Sequence, residues 1–95
     1  MFDKMKALLD MQKKIQEIKR QLDATDFEIK SQDGRVTVVM NGSQQVQDVI
    51  IAEGADREGL QRSLKDTFNR AIKRSQEVAA QKMKEITGMA LPPGM

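Results

Sequence analysis

The chain contains no cysteine, histidine, tryptophan or tyrosine. Without cysteine it can form no disulfide and offers no thiolate as nucleophile or metal ligand, a composition compatible with a reducing compartment. Without histidine it lacks the commonest general base and the commonest metal ligand. Aromatics are confined to Phe2, Phe27 and Phe68, so the core must be aliphatic and rich in the seven methionines. Nowhere are there enough consecutive apolar residues to span a bilayer, and MFDKMKALLDM has neither an uninterrupted apolar stretch nor a small-residue cleavage site. A soluble, cytoplasmic protein with no membrane partner is expected. No GxGxxG or GxxxxGK[ST] loop is present to cradle phosphate. Asp3, Asp10 and Glu17 could gather a hard cation, but they share a solvated helix face with basic rows. The expectation is a protein that is not an enzyme, with no catalytic residue, no metal site, no cofactor and no small-molecule substrate.

What is present is organised around Phe27 to Ile51, FEIKSQDGRVTVVMNGSQQVQDVII. Asp33-Gly34 and Asn41-Gly42 are strong hairpin signals between β-branched runs and predict three antiparallel strands within residues 26–52. A two-residue loop at Asp33-Gly34 sets Ile29 opposite Val38 and Phe27 opposite Met40, burying one apolar face. A four-residue loop, Asn41 to Gln44, sets Val36 opposite Val49, Val38 opposite Gln47 and Val39 opposite Val46. The second face then carries Val39, Val46 and Ile50, so both faces need a cover.

Residues 3–23 read as a helix whose apolar positions Leu8, Met11, Ile15, Ile18 and Leu22 repeat as a heptad, a narrow seam that packs on another helix. Asp3, Asp10 and Glu17 form one row beside Lys6, Lys13 and Arg20, spaced to lace together as weak surface ion pairs. Asp56 is the expected N-cap of a second helix over residues 56–87, with a stripe of Leu60, Leu64, Phe68, Ala71, Ile72, Ser75, Ala79, Met83 and Ile86 whose first half covers the sheet. The small residues Ala71, Ser75 and Ala79 leave room for the opening helix. Gly88 fits a helix C-cap, and the Pro-containing tail 88–95 should be extended.

The 95 residues make a single domain, too small to leave large apolar surfaces in water. Two copies would bury what one cannot: Val39, Val46 and Ile50 on the sheet, with Leu8, Met11, Ile15, Ile18 and Leu22 on the seam. A homodimer is therefore expected. The formal charge of +2 divides unevenly: residues 1–23 carry six basic and four acidic side chains, 24–64 four and seven, and 65–95 six and three. Basic ends suit a polyanion, although ordinary solvated helices carry similar charge. Arg70, Lys73 and Arg74 are neighbours with only Asp66 and Glu77 to offset them, and Lys82 and Lys84 continue the basic character. The basic faces lack aromatics, which disfavours single-strand binding by base stacking.

The opening MQKKIQ, the pair GRVTVVMNG and VQDVII, the segment FNRAIKRSQE, Lys82-Met83 and the ending GMALPPGM together resemble the YbaB/EbfC nucleoid-associated DNA-binding proteins over nearly the whole chain. The resemblance implies an α+β fold, an α-β-β-β-α chain with a three-stranded antiparallel sheet and two long helical arms, forming a tweezer-like homodimer in the cytoplasmic nucleoid. It also implies that the arms engage duplex DNA with little sequence preference. The residues expected to contact it are Arg70, Lys73 and Arg74, assisted by Lys13, Lys14, Arg20, Lys82 and Lys84. The competing reading is a coiled-arm adaptor for other proteins without direct DNA binding.

Overall fold

Heptad periodicity, two hairpin signals and a capped amphipathic segment produce α1 (Phe2–Ala24), β1 (Asp26–Lys30), β2 (Val36–Asn41), β3 (Val46–Ile51) and α2 (Arg57–Thr87) in a computed structural model that describes residues 2–88 and the side chains of 3–88. The tail expected to follow Gly88 lies outside the described residues. The strands form one antiparallel sheet in the order β1-β2-β3. No helix among the described residues is long and apolar enough to cross a membrane.

Asp56 caps α2 by accepting the Gly59 N–H at 2.9 Å, and Gly88 ends the helix in the left-handed region with its N–H on the Lys84 carbonyl. The face that α2 buries differs from the expected stripe. Its centre is the ridge Gly59, Ser63, Thr67, Ala71 and Ser75, four residues apart, with Leu60, Leu64 and Phe68 half-buried beside it and Ile72 exposed. Small side chains at every fourth position let the helix sit close on β2. Val36, Val38 and Met40 are buried there, each contributing roughly 1.5–3 kcal/mol of apolar burial. α2 lies across β1 and β2 and leaves β3 uncovered, so all six residues of β3 are exposed.

The first hairpin has the expected register, Phe27 with Met40 and Ile29 with Val38. The second does not. Asn41 closes on Gln45 through its N–H at 3.0 Å, leaving a three-residue loop in which Gln44 takes φ 60°, and a bulge follows at Gln47. Val36 therefore faces Ile51, Val38 faces Val49 and Val39 faces Asp48, while Val46 faces Met40. The shorter loop and the bulge each shift the pairing by one residue. Together they amount to a two-residue slip, which keeps Val49 and Ile51 on the Val36 face and removes Val46 from the Val39 row.

Buried polar groups fix how the helices leave this sheet. Asn41, fully buried, accepts the N–H groups of Ser43 and Gln45 at 3.0 Å and donates to the Asp23 carbonyl and the Gln45 side chain. Ser75 donates to the Asn41 carbonyl at 3.0 Å and accepts the Gln44 N–H. Ser75 therefore anchors the turn and not α1, contrary to the room expected there. The contact between the helices lies at Leu22 and Val78, both packed on Gly42, whose N–H donates to the Leu22 and Thr25 carbonyls. At the other end of the sheet, Ser63 and Ser31 donate to the Asp33 carboxylate at 2.6 and 2.7 Å.

Only the C-terminal end of α1 is packed. Ile18 is 8% exposed, whereas Leu8, Met11 and Ile15 are 63%, 60% and 58% exposed, so α1 projects as an arm and the chain measures 64 × 23 × 16 Å. Ile18 and the half-buried Leu22 thus pack within the protomer, while Leu8, Met11 and Ile15 stay open on the same seam.

Candidate nucleic-acid interface

The cations of α2 do not form one cluster with a common outlook. The four-residue ridge that faces the sheet places Arg70 on the β1 side, where its Nη1 donates to the Lys30 carbonyl at 2.9 Å and lies 3.7 Å from Asp66. Arg74 donates to Glu77 at 3.3 Å, and Lys82 pairs with Glu85 at 3.6 Å. Arg74 and Lys82 share a recess of about 330 Å³, lined also by Thr25, Val78 and Gln81, at the level where α1 ends. Asp66 and Glu77, the two carboxylates within helical reach of the Arg70 group, are thus both engaged. Lys73 and Lys84 are exposed and make no ion pair among the described residues.

Among the described residues the rows of α1 lace together at one point only. One pair forms, Arg20 with Glu17, a two-pronged contact that includes Arg20 Nε to Glu17 Oε2 at 3.0 Å. Hydrogen bonds from Arg20 and then Gln21 hold the Glu17 carboxyl down at about 2. Lys4, Lys6, Lys13, Lys14 and Lys19 are exposed and carry no ion pair among the described residues. Lys6 and Lys13 occupy the heptad position opposite the Leu8–Met11–Ile15 seam. Among the described residues α1 thus carries as many unpaired cations as α2, where Arg57, Arg62 and Lys65 join Lys73 and Lys84, and a count of carboxylates at helical spacing could not show it for α1, because Asp3 and Asp10 do not engage the lysines within their reach.

The polar residues that hold the arms were missed as site components. Asn41 and Ser75 set the junction of α1, the second turn and α2; Arg35 pairs with Asp33 at 3.2 Å and with Asp56, closing the first turn onto the start of α2. Their signal in the sequence is faint: serines and an asparagine at turns that read equally well as solvent-facing. Among the described residues no group of three or more carboxylates is placed to hold a metal ion.

What this arrangement can do chemically is bind an anion along an elongated, cation-bearing surface. Exposed pairs such as Arg74–Glu77 and Lys82–Glu85 are worth about 0–1 kcal/mol and exchange readily for a phosphate. A family model described as the YbaB/EbfC DNA-binding family matches residues 1–90. The chain is 34% identical over 82 residues to a nucleoid-associated protein of Chloroflexus aurantiacus, covering 82% of each chain. It is 35% identical over 100 aligned positions to a nucleoid-associated protein of Akkermansia muciniphila, covering 93% of this chain and 96% of that one. A crystal structure of the uncharacterized protein HP0035 from Helicobacter pylori superposes with a TM-score of 0.64 at 30% identity, over 74% of this chain and 87% of that one.

Proposed function

The chain belongs to the YbaB/EbfC DNA-binding family, and from that premise we propose that it is a nucleoid-associated protein whose homodimer binds duplex DNA through phosphate contacts with little sequence preference. The observation that carries this reading is α1: a projecting helix whose lysines are free of carboxylates and whose apolar seam is open. A second copy covering Leu8, Met11 and Ile15, together with the Val39–Ile50 face of the sheet, leaves Lys6 and Lys13 facing outward. Lysines on long stems meet phosphates as point charges and carry no base information.

The contacts rank by what each cation must give up. Lys13, Lys14, Lys73 and Lys84 give up only water. Arg74 and Lys82 release a glutamate each, and Arg20 and Arg70 are the most firmly held. The open seam also favours a second reading, an adaptor that docks other proteins on its arms. A gel-shift titration with random duplex at several salt concentrations separates the two. The DNA reading expects log affinity to fall linearly with log salt, by about 0.9 for each phosphate contact, and to be alike for unrelated sequences. No shift at low salt would leave the adaptor.

A further inference from the structure

We infer that the open seam of α1 seats the chain's own residues 89–95, which lie outside the described residues, and that a second copy must displace them to reach Leu8 and Met11. The docking itself stands on the geometry of one protomer; the displacement alone rests on the homodimer proposed above.

The arms fix where that segment starts. Leu22 and Val78 both pack on Gly42, so they stand at one level of the helix pair. α2 alone, with 31 residues, is about 46 Å long and falls short of the chain's 64 Å extent. The path from Arg57 up to Val78 and from Leu22 back to Phe2 is about 62 Å, close to that extent. α1 therefore runs antiparallel beside the end of α2 and on beyond it, and cross-dimensions of 23 and 16 Å leave the arms little room to splay. Thr87, nine residues past Val78, is about level with Lys13. From there α1 continues alone through residues 2–12 for about 16 Å. On that stretch Met5, Leu8, Leu9 and Met11 are 64%, 63%, 56% and 60% exposed. The heptad keeps Leu8 and Met11 on the face of the buried Ile18, so the bare strip looks along the line that α2 has left.

The segment matches this strip in reach and in chemistry. Gly88 leaves α2 in the left-handed region, and Pro92 and Pro93 cannot continue a helix. Extended, the seven residues 89–95 span about 22 Å at about 3.1 Å each, more than the bare length of α1. Their side chains include Met89, Leu91 and Met95 and no charge. Met89 comes level with Met11, and Leu91 falls between Leu8 and Met5. A segment joined directly to α2 meets the seam at an effective concentration of about millimolar, whereas a second copy must arrive from micromolar solution. Being narrow and neutral, it leaves Lys6 and Lys13 on the opposite face of α1 in water. The free protomer thus carries its own cover for the seam, and assembly exchanges that cover for a second copy.

Paired cysteines test the docking, since the chain has none of its own. Under mild oxidation Leu8→Cys/Leu91→Cys is expected to close an intrachain disulfide about tenfold faster than Lys6→Cys/Leu91→Cys, whose first thiol stands at a similar level on the opposite face. Equal rates would mean that the segment does not settle on the seam. A bond mapped between positions 8 and 91 of different chains would place it on a second copy. Either result overturns the docking. The displacement is read from sedimentation of Leu91→Asp, which weakens the rival cover without touching the described fold. With the seam covered half the time in the wild type, its dimer is expected to dissociate with a constant about fourfold lower, because both protomers must vacate the seam. Leu91→Asp dimerising no more tightly than wild type would overturn the displacement and leave the homodimer standing. A wild-type mass near 10.7 kDa in the same runs would overturn the homodimer and the displacement together, while the cysteine pairs still decide the docking.

Discussion

The guanidinium of Arg70 donates to the Lys30 carbonyl across 2.9 Å, tying a solvent-facing position of α2 to the outward edge of β1. A residue whose helical neighbourhood marks it for phosphate is thereby held in the sheet's own hydrogen bonding. Lys73, three residues on, has no such partner among the described residues.

The two positions should therefore separate in DNA binding. Lys73→Gln is expected to lower the slope of log affinity against log salt by about 0.9 for each phosphate that the side chain no longer neutralises, equally for all sequences. Arg70→Gln is expected to leave the slope unchanged and to lower thermal stability by about 1 kcal/mol, because the Lys30 carbonyl then has no guanidinium donor. Equal flattening by both variants would show that the carbonyl bond yields to phosphate.

How much could be read from residues alone depends on which features leave a local mark. Asp33-Gly34 forces a tight turn, and the alternation on both sides fixes the first register, so Ile29 and Val38 could be paired in advance. The second loop hides its length. Gln44 adopts the left-handed conformation that glycine usually signals, and the bulge at Gln47 has no compositional trace. The core face remained readable because a two-residue slip leaves side-chain parity intact. The α2 ridge was legible at Ala71 and Ser75, which lie on the expected stripe, but its first half escaped because it is Gly59, Ser63 and Thr67, small or polar residues whose neighbours Leu64 and Phe68 look more like core. Arg70 escaped for a different reason: its partner is a backbone carbonyl 40 residues away.

Acid should loosen the first turn from α2. Hydrogen bonds from Ser63, then Ser31 and the Arg35 N–H, hold the Asp33 carboxyl down at about 2 from an ordinary 3.8. A carboxyl depressed in the folded state stabilises above its unfolded value, and that stabilisation is lost as pH falls from about 4 towards 2. Urea midpoints at pH 5 and pH 2.5 should differ less in Asp33→Asn than in wild type. Glu17 and Asp56, also lowered, remain in both proteins and cancel from the comparison. An undiminished pH dependence in Asp33→Asn would place the acid sensitivity elsewhere.

Asn41 is expected to be the most sensitive polar position. Its fully buried side chain accepts two backbone N–H groups and donates to the Asp23 carbonyl. Asn41→Ala leaves those groups unpaired and should cost roughly 2–3 kcal/mol in denaturant unfolding. A loss below 0.5 kcal/mol, about the size of an ordinary surface change, would mean that water replaces the amide.

Thr67 offers the reverse case. Its hydroxyl is buried against the sheet with no hydrogen-bond partner among the described residues. Thr67→Val keeps the shape and removes an unsatisfied polar atom, so it should stabilise by about 1 kcal/mol. A destabilised variant would indicate a partner for the hydroxyl in solution.

The set of the α1 arm depends on Gly42. A Cβ at this position would lie 2.8 Å from Leu22 Cδ2, 3.2 Å from Val78 Cγ1 and 3.3 Å from Leu22 Cα. The first contact could be relieved by a rotamer change, but the last is backbone, so relief requires α1 itself to move. Moving it strains the Gly42 N–H bonds to the Leu22 and Thr25 carbonyls that hold the end of α1 against the turn. Gly42→Ala is accordingly expected to cost about 1–3 kcal/mol, the usual penalty for overfilling a packed site. Gly34 serves as the control. It takes φ +75° with nothing within 4 Å of an added Cβ, so Gly34→Ala meets backbone strain alone, about 1–2 kcal/mol, and disturbs no helix. The discriminating measurement is amide exchange in α1 near Leu22, which should quicken in Gly42→Ala and stay as in wild type in Gly34→Ala. If exchange near Leu22 is equal in the two variants, the arm is held by contacts other than the seat at Gly42.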